Sequence, residues 1–248
     1  MMIFIVTAAI QPHTLHVLRE CLGSVRLHHP DASIVTIDAL WAEEEHEALR
    51  AAYGAQFVRQ LHPGCGEVNA FCWSVQHAEA DARVEDRYVF LQDSVHLTAP
   101  LPPPKAPHFD ALWYSSGAIT CDLDHPEIAR ALCVDGVPLT EDVAAAGVTG
   151  ECIFGAMATW SSTFARALGS RTTLTAAAAL FTTKSKRCML ERALFFVARR
   201  LGFVPSERAA FRHSVLLGDI WRHPHAFSNR QPQAARGVFP ATKMWFGR

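Results

Sequence analysis

Several familiar signatures are missing from this 248-residue sequence, and each absence removes a class of function. There is no CxxC pair, so the seven cysteines (21, 65, 72, 121, 133, 152 and 188) lack the spacing of a zinc site. An odd count with several thiols inside apolar runs implies reduced, mostly buried side chains and a reducing, cytoplasmic compartment. There is no P-loop, and no GxSxG elbow to support acyl transfer on a hydrolase scaffold. No apolar run approaches the ~20 residues of a membrane-spanning helix. Charge excess is missing too: 23 basic and 24 acidic residues leave a net charge of -1. Mixed charge of this kind gives no general attraction to nucleic acid or to an anionic membrane.

What is present is a chain that is 50% apolar with a mean hydropathy of +0.08, which suits one globular domain. The start, MMIFIVTAAIQPH, has no basic n-region and ends at Gln11-Pro12, so it reads as a buried strand and not as a signal peptide. Further strand-like runs are SIVTID, QFVRQ and RYVFLQD. Between them lie helical stripes: Leu15, Leu18, Leu22 and Val25 after Pro12, a stretch closed by Gly54, then Val68, Phe71, Cys72 and Val75. Strands alternating with helices predict an α/β fold with a mostly parallel central sheet flanked by helices. Ile5, Val35 and Phe90 are expected in adjacent strands. The proline-rich stretch APLPPPKAPHF then closes the regular β/α part near residue 99. Beyond it, ALWYSS and CIFGAMATW read as strands, RCMLERALFFVARRLG as a helix closed by Gly202, and the tail from 222 as irregular.

In such sheets ligands bind outside the carboxyl ends of the strands. Thr7, Asp38 and Asp93 stand at those ends and are expected to open into one cleft. A carboxylate there must be solvated, paired or bound to a cation. Hard divalent cations need few protein carboxylates when phosphate oxygens and water complete the shell, so Asp93 beside Ser94 can suffice. Other features have plainer readings. Gly64-Cys65-Gly66 lacks the third glycine of a dinucleotide fingerprint and reads as a turn. His28-His29 and His223-x-His225 lie beside proline and read as exposed loop histidines, while His213 stands out before SVLLGDI. The basic cluster Lys184, Lys186, Arg187, Arg192, Arg199 and Arg200 either faces a phosphate or forms a solvated face. No aromatics interleave with it, so nucleic acid is not expected as a partner.

The apolar first strand with its small polar end, Asp38 after the second strand, and Asn69 on the helix before YVFLQDS together resemble a GT-A glycosyltransferase. GECIFGAM, LERAL, LLGDI and KMWFGR are similar to stretches of glycosyltransferase-like proteins of microbes and large viruses. The resemblance implies transfer of a sugar from a UDP- or GDP-linked donor to a glycan or protein acceptor. Residues 1–99 would be the nucleotide-binding half, and 100–248 the acceptor-side half and tail of the same domain. It implies nucleotide contacts from Thr7, Ala8, Asp38, Asn69, Asp93 and Ser94. GT-A enzymes usually carry Asp-x-Asp at the fourth strand, holding Mn²⁺ or Mg²⁺. Here Gln92-Asp93-Ser94 keeps only the middle acid, and Asp93 with His213 would hold the metal. Glu151, with Asp219 second, is the candidate general base. Arg192 or Lys184 would meet the leaving diphosphate's charge. The altered motif also suits a non-catalytic GT-A-like protein that binds a nucleotide or glycan or serves in an assembly. A nucleotidyltransferase of similar topology is a third reading.

Overall fold

A computed structural model describes residues 1–8, 15–38, 43–80, 86–104, 108–112, 114–116, 125–146, 151–203 and 241–243. The first half is built as the strand and helix patterns require. β1 (Met2–Thr7) buries Ile3, Phe4, Ile5 and Val6 in succession, as a strand covered on both faces must. α1 (Leu15–His28) turns Val17, Leu18, Cys21, Leu22 and Val25 inward at helical spacing. β2 (Ser33–Asp38), α2 (Glu43–Tyr53) and β3 (Ala55–Arg59) follow, and α2 stops at Gly54, whose φ is +63°. α3 (Val68–Ala80) leads to β4 (Arg87–Gln92). Ile5 pairs with Val35 on one side and Phe90 on the other, and all three are buried.

The second half extends the same sheet and covers it. It runs through β5 (Val95–Leu97), β6 (Phe109–Ala111), β7 (Tyr114–Ser116), α4 (Pro126–Ala131), the hairpin strands β8 (Cys133–Val134) and β9 (Val137–Pro138), and α5 (Thr140–Ala146). Next come β10 (Glu151–Ile153), β11 (Ala158–Ser161), α6 (Ser162–Arg171), α7 (Leu174–Ala177), α8 (Lys184–Arg200) and β12 (Ala241–Lys243). The central sheet has the order β3-β2-β1-β4-β11-β6. Its first four strands are parallel, and β11 runs antiparallel between β4 and β6. Trp160 of β11 is fully buried; it stacks on Phe71 of α3 at 4.6 Å and donates its indole N–H to Ser74 Oγ at 3.1 Å. That partner makes an indole tolerable in the core.

Two expected strands are broken. CIFGAMATW is split by a short 3₁₀ turn at Phe154–Ala156, where Gly155 and Ala156 have φ of +63° and +54°. Left-handed residues end an extended run, and apolar content gives no sign of them. ALWYSS is likewise divided between β6 and β7, with β7 pairing to β10 outside the central sheet. The last helix is longer than its apolar stripe: Thr183 caps it by accepting from Lys186 N–H, and Gly202 follows it with φ of +82°. Among the described residues no helix is long and apolar enough to cross a membrane. Cys21, Cys65, Cys72, Cys133 and Cys188 are free thiols.

The contact of α3 with α6 depends on Gly169, where an added Cβ would stand 2.6 Å from Val75 Cγ1. Helix propensity alone favours Gly169→Ala by about 1 kcal/mol. Overpacking costs about 1–3 kcal/mol, so the substitution is expected to destabilise in urea unfolding. Val75→Ala removes the clashing methyl, and the double variant is expected to be less destabilised than the sum of the single ones.

Candidate functional site

After β1 the chain moves outward to β2 and β3, and α3 then returns it to β4 on the other side of β1. The strand order reverses at that point, beside the carboxyl ends of β1 and β4, which is where sheets of this kind place their ligands. Thr7 pairs with both Ile37 and Gln92, so Asp38 and Asp93 each lie one residue beyond the same line. Ala8 N–H donates to Ile37 carbonyl at 3.1 Å, and Asp93 N–H to Thr7 carbonyl at 3.3 Å. The backbones of Thr7, Ala8, Asp38, Asp93 and Ser94 therefore share one edge of the sheet.

The surroundings of Asp93 differ from the open cleft expected. Asp93 and Ser94 form the turn between β4 and β5 and are 4% and 8% exposed. The Asp93 carboxylate lies near Cys21: burial first, and then that negative charge, push the Cys21 thiol far above its usual range. Asn69 is fully buried. Its amide donates to the carbonyls of His62 and Gly66 at 3.0 and 3.1 Å, and its oxygen accepts from His62 N–H at 2.8 Å. With both N–H donors committed, Asn69 holds the β3–α3 loop in place.

That loop carries a residue that sequence reasoning missed. Glu67 Oε1 accepts from Gln92 Nε2 at 2.9 Å, so the glutamine standing at the altered acidic motif is tied to a carboxylate from another element. Glu67 Oε2 is buried and makes no hydrogen bond; Arg187 Nε stands 3.7 Å away. The Arg187 guanidinium also donates to Gly64 carbonyl at 3.1 Å, and its stem lies against Gly66. Arg187 and Glu67 are 33% and 22% exposed. Gly64 and Gly66 have φ of +80° and +57°, so the GxG is a turn, as expected, but one packed under Arg187 at the ligand edge. A glycine turn after a parallel strand, followed by Glu67 and a helix, is the signal that could have found it.

The other basic residues point elsewhere. Arg192 is 2% exposed among the buried residues of α8, which corrects its expected place at the leaving group. Lys184 is exposed, Lys186 pairs with Glu127, and Arg200 pairs with Asp142. His29 is not an exposed loop residue: its ring packs on Phe4 and Nε2 accepts from Leu101 N–H at 3.0 Å. Glu151 opens β10 opposite Ser116, and nothing is described of its side chain. His213, Asp219, His223 and His225 lie outside the described residues. Among the described residues no three His, Cys, Asp or Glu side chains meet as a metal site. Of the expected metal ligands only Asp93 lies among the described residues, and one buried carboxylate does not by itself hold a resident divalent cation.

No protein-family model matches the sequence. No curated protein matches it either. Among solved structures, the chain is similar to galactosyltransferase LgtC in complex with donor and acceptor sugar analogues. That match has 11% identity and a TM-score of 0.51, over 99% of this chain and 87% of that one. The apo form of mouse xyloside xylosyltransferase 1 matches at 11% identity and a TM-score of 0.44, over 98% and 96%. The glycosyltransferase GlyE of Streptococcus pneumoniae TIGR4, apo form, matches at 13% and 0.30, over 44% of this chain and only 28% of its own. The fold is a single α/β domain of the GT-A glycosyltransferase type, with a mostly parallel sheet between helices.

The two loop glycines separate backbone strain from the Arg187 contact. An alanine at Gly64 meets nothing within 4 Å, whereas at Gly66 its Cβ would lie 2.6 Å from Arg187 Cδ. Gly64→Ala is expected to cost the left-handed strain alone, about 1–2 kcal/mol in urea unfolding. Gly66→Ala is expected to cost about 1 kcal/mol more, as the guanidinium loses its hydrogen bond. In an Arg187→Ala background the two costs should converge.

Proposed function

We propose that this protein transfers a sugar from a nucleoside-diphosphate sugar to a glycan or protein acceptor, with the diphosphate at the carboxyl ends of β1 and β4. The observation that carries the reading is the Gln92–Glu67–Arg187 cluster, assembled from three elements at that edge. The reaction breaks the bond from the anomeric carbon to the diphosphate and forms one to the acceptor oxygen. Negative charge collects on the departing phosphate, and a guanidinium beside it stabilises that charge. Arg187 supplies that guanidinium by moving from Glu67 to the phosphate, and Glu67 Oε2 accepts from a hydroxyl of the donor. Glu151 takes the acceptor's proton, with Asp219 the second choice. Asp38 and Ser94 line the nucleotide. Asp93 and His213 would be the residues to meet a Mn²⁺ or Mg²⁺ carried by the diphosphate, and the ion would add positive charge there. In this reading residues 1–99 supply most of the donor site, with Arg187 reaching it from α8, and the rest of 100–248 faces the acceptor. The free thiols suit a reducing compartment such as the cytoplasm.

A second reading, donor binding without transfer, is favoured by the burial of Asp93 at an otherwise altered motif. Calorimetric titration with UDP and GDP, each with and without Mn²⁺, tests both readings alongside assays for glycoside. Arg187→Gln and Asp93→Asn each remove one charge-assisted contact, worth about 1.5–3 kcal/mol, and are expected to weaken binding about ten- to a hundredfold. Glu151→Gln should preserve binding and slow transfer by about 10²-fold or more. Binding without any glycoside selects the second reading. Equal diphosphate affinity in wild type, Arg187→Gln and Asp93→Asn removes the site.

A further inference from the structure

Apart from the cluster at the sheet edge, Ser185 of α8 meets His125 and Glu127, some 60 residues earlier, in a chain of polar contacts between α4 and α8. His125 Nε2 stands 2.6 Å from Ser185 Oγ, and its Nδ1 stands 3.4 Å from Glu127 Oε1. Lys186 Nζ is also 3.4 Å from that carboxylate oxygen and fixes it in place. His125 precedes α4, and its side chain makes no capping bond to that helix; its ring reaches across to α8 instead. A carboxylate beside Nδ1 favours the tautomer with the proton on that nitrogen. Nε2 then offers a lone pair, and the Ser185 hydroxyl donates to it. A serine that serves only to clamp two helices has no need of the carboxylate on the far side of the ring.

The hydroxyl is also well placed to react. Ser185 is the second residue of a 17-residue helix and is half-buried, while His125 is 17% exposed. The first N–H groups of a helix have no partner within it, and its positive end favours a developing oxyanion. Glu127 stays ionised: a backbone N–H bond first, then Lys186 and His125, hold its carboxyl below the usual range.

We propose that Ser185, His125 and Glu127 form a second catalytic centre, one that cleaves carboxylic esters through an acyl-serine. Ser185 Oγ attacks the ester carbonyl carbon, its proton passes to His125 Nε2, and the carbonyl electron pair moves to oxygen. As the pair returns, the bond to the alcohol breaks and the alcohol takes the proton from Nε2. Water repeats the sequence on the acyl-serine and releases the acid, restoring the hydroxyl. Glu127 orients the ring and stabilises its charged form. No sequence motif announces this centre, because residues 125 and 185 meet only in the fold.

A fluorophosphonate reagent tests the proposal on the full chain. It should attach phosphorus to Ser185 Oγ with loss of fluoride, located by peptide mass mapping. Ser185→Ala is expected to lose that label while keeping its thermal transition. His125→Gln should slow labelling by about 100-fold or more. If that variant does not fold, Glu127→Gln replaces it, since the Glu127 side chain is 44% exposed; labelling should again slow. Folded wild type that stays unlabelled at Ser185 overturns the proposal, as does labelling at the same rate in the folded His125 or Glu127 variant. In either case the contact is a clamp between helices.

Discussion

Everything in this molecule is arranged around β1, and the constraint is that two parallel strands pair with it in register. Ile5 is fixed between Val35 and Phe90, and the pairing continues to Thr7 between Ile37 and Gln92. Parallel neighbours cannot be joined by tight turns, so each connection must cross over through a helix. The crossovers leave β1 toward β2 and return to β4 from the other side, so the strand order reverses beside β1. The edge proposed for the ligand is therefore a consequence of the strand order. The polar residues that gather there share that edge although they come from five separate stretches of chain.

Much of this was legible before any coordinates. Continuous apolar strands and 3.6-residue stripes identify the parallel half because burial on both faces leaves that pattern. Gly54 and Gly202 mark helix ends for the same local reason. The placement of Thr7, Asp38 and Asp93 along one edge of the sheet could be read as well, since it follows from topology. The broken strand around Gly155 could not, because left-handed backbone at Gly155 and Ala156 leaves no trace in hydrophobicity. Glu67 escaped notice because a glutamate before a helix is ordinarily a cap or a solvated end. Its meaning appears only when Gln92, 25 residues on, is seen to hold its carboxylate. The basic cluster shows the same limit. Six cations near one helix look alike in sequence, yet Arg187 faces the ligand edge while Arg192 is buried.

The first turns of α8 bring two kinds of chemistry close together. Arg187 reaches back to the β3–α3 loop, and Ser185, two residues earlier, reaches His125 in front of α4. Thr183 ends the preceding segment and fixes the start of the helix by accepting from Lys186 N–H at 3.3 Å. One cap therefore sets the position of a cation and of a hydroxyl that belong to different clusters. α8 packs on β10 and on the 3₁₀ turn that leads from β10 into β11, a strand of the central sheet.

The central claim is that a nucleoside diphosphate binds at the carboxyl ends of β1 and β4. Hydrogen–deuterium exchange with and without UDP or GDP tests it most directly, because protection reports where a ligand orders the backbone. Slowed exchange is expected in three stretches: residues 62–69 of the β3–α3 loop, the turn at 93–94, and the start of α8. Protection confined to other parts of the chain, or none at saturating nucleotide, would contradict the account.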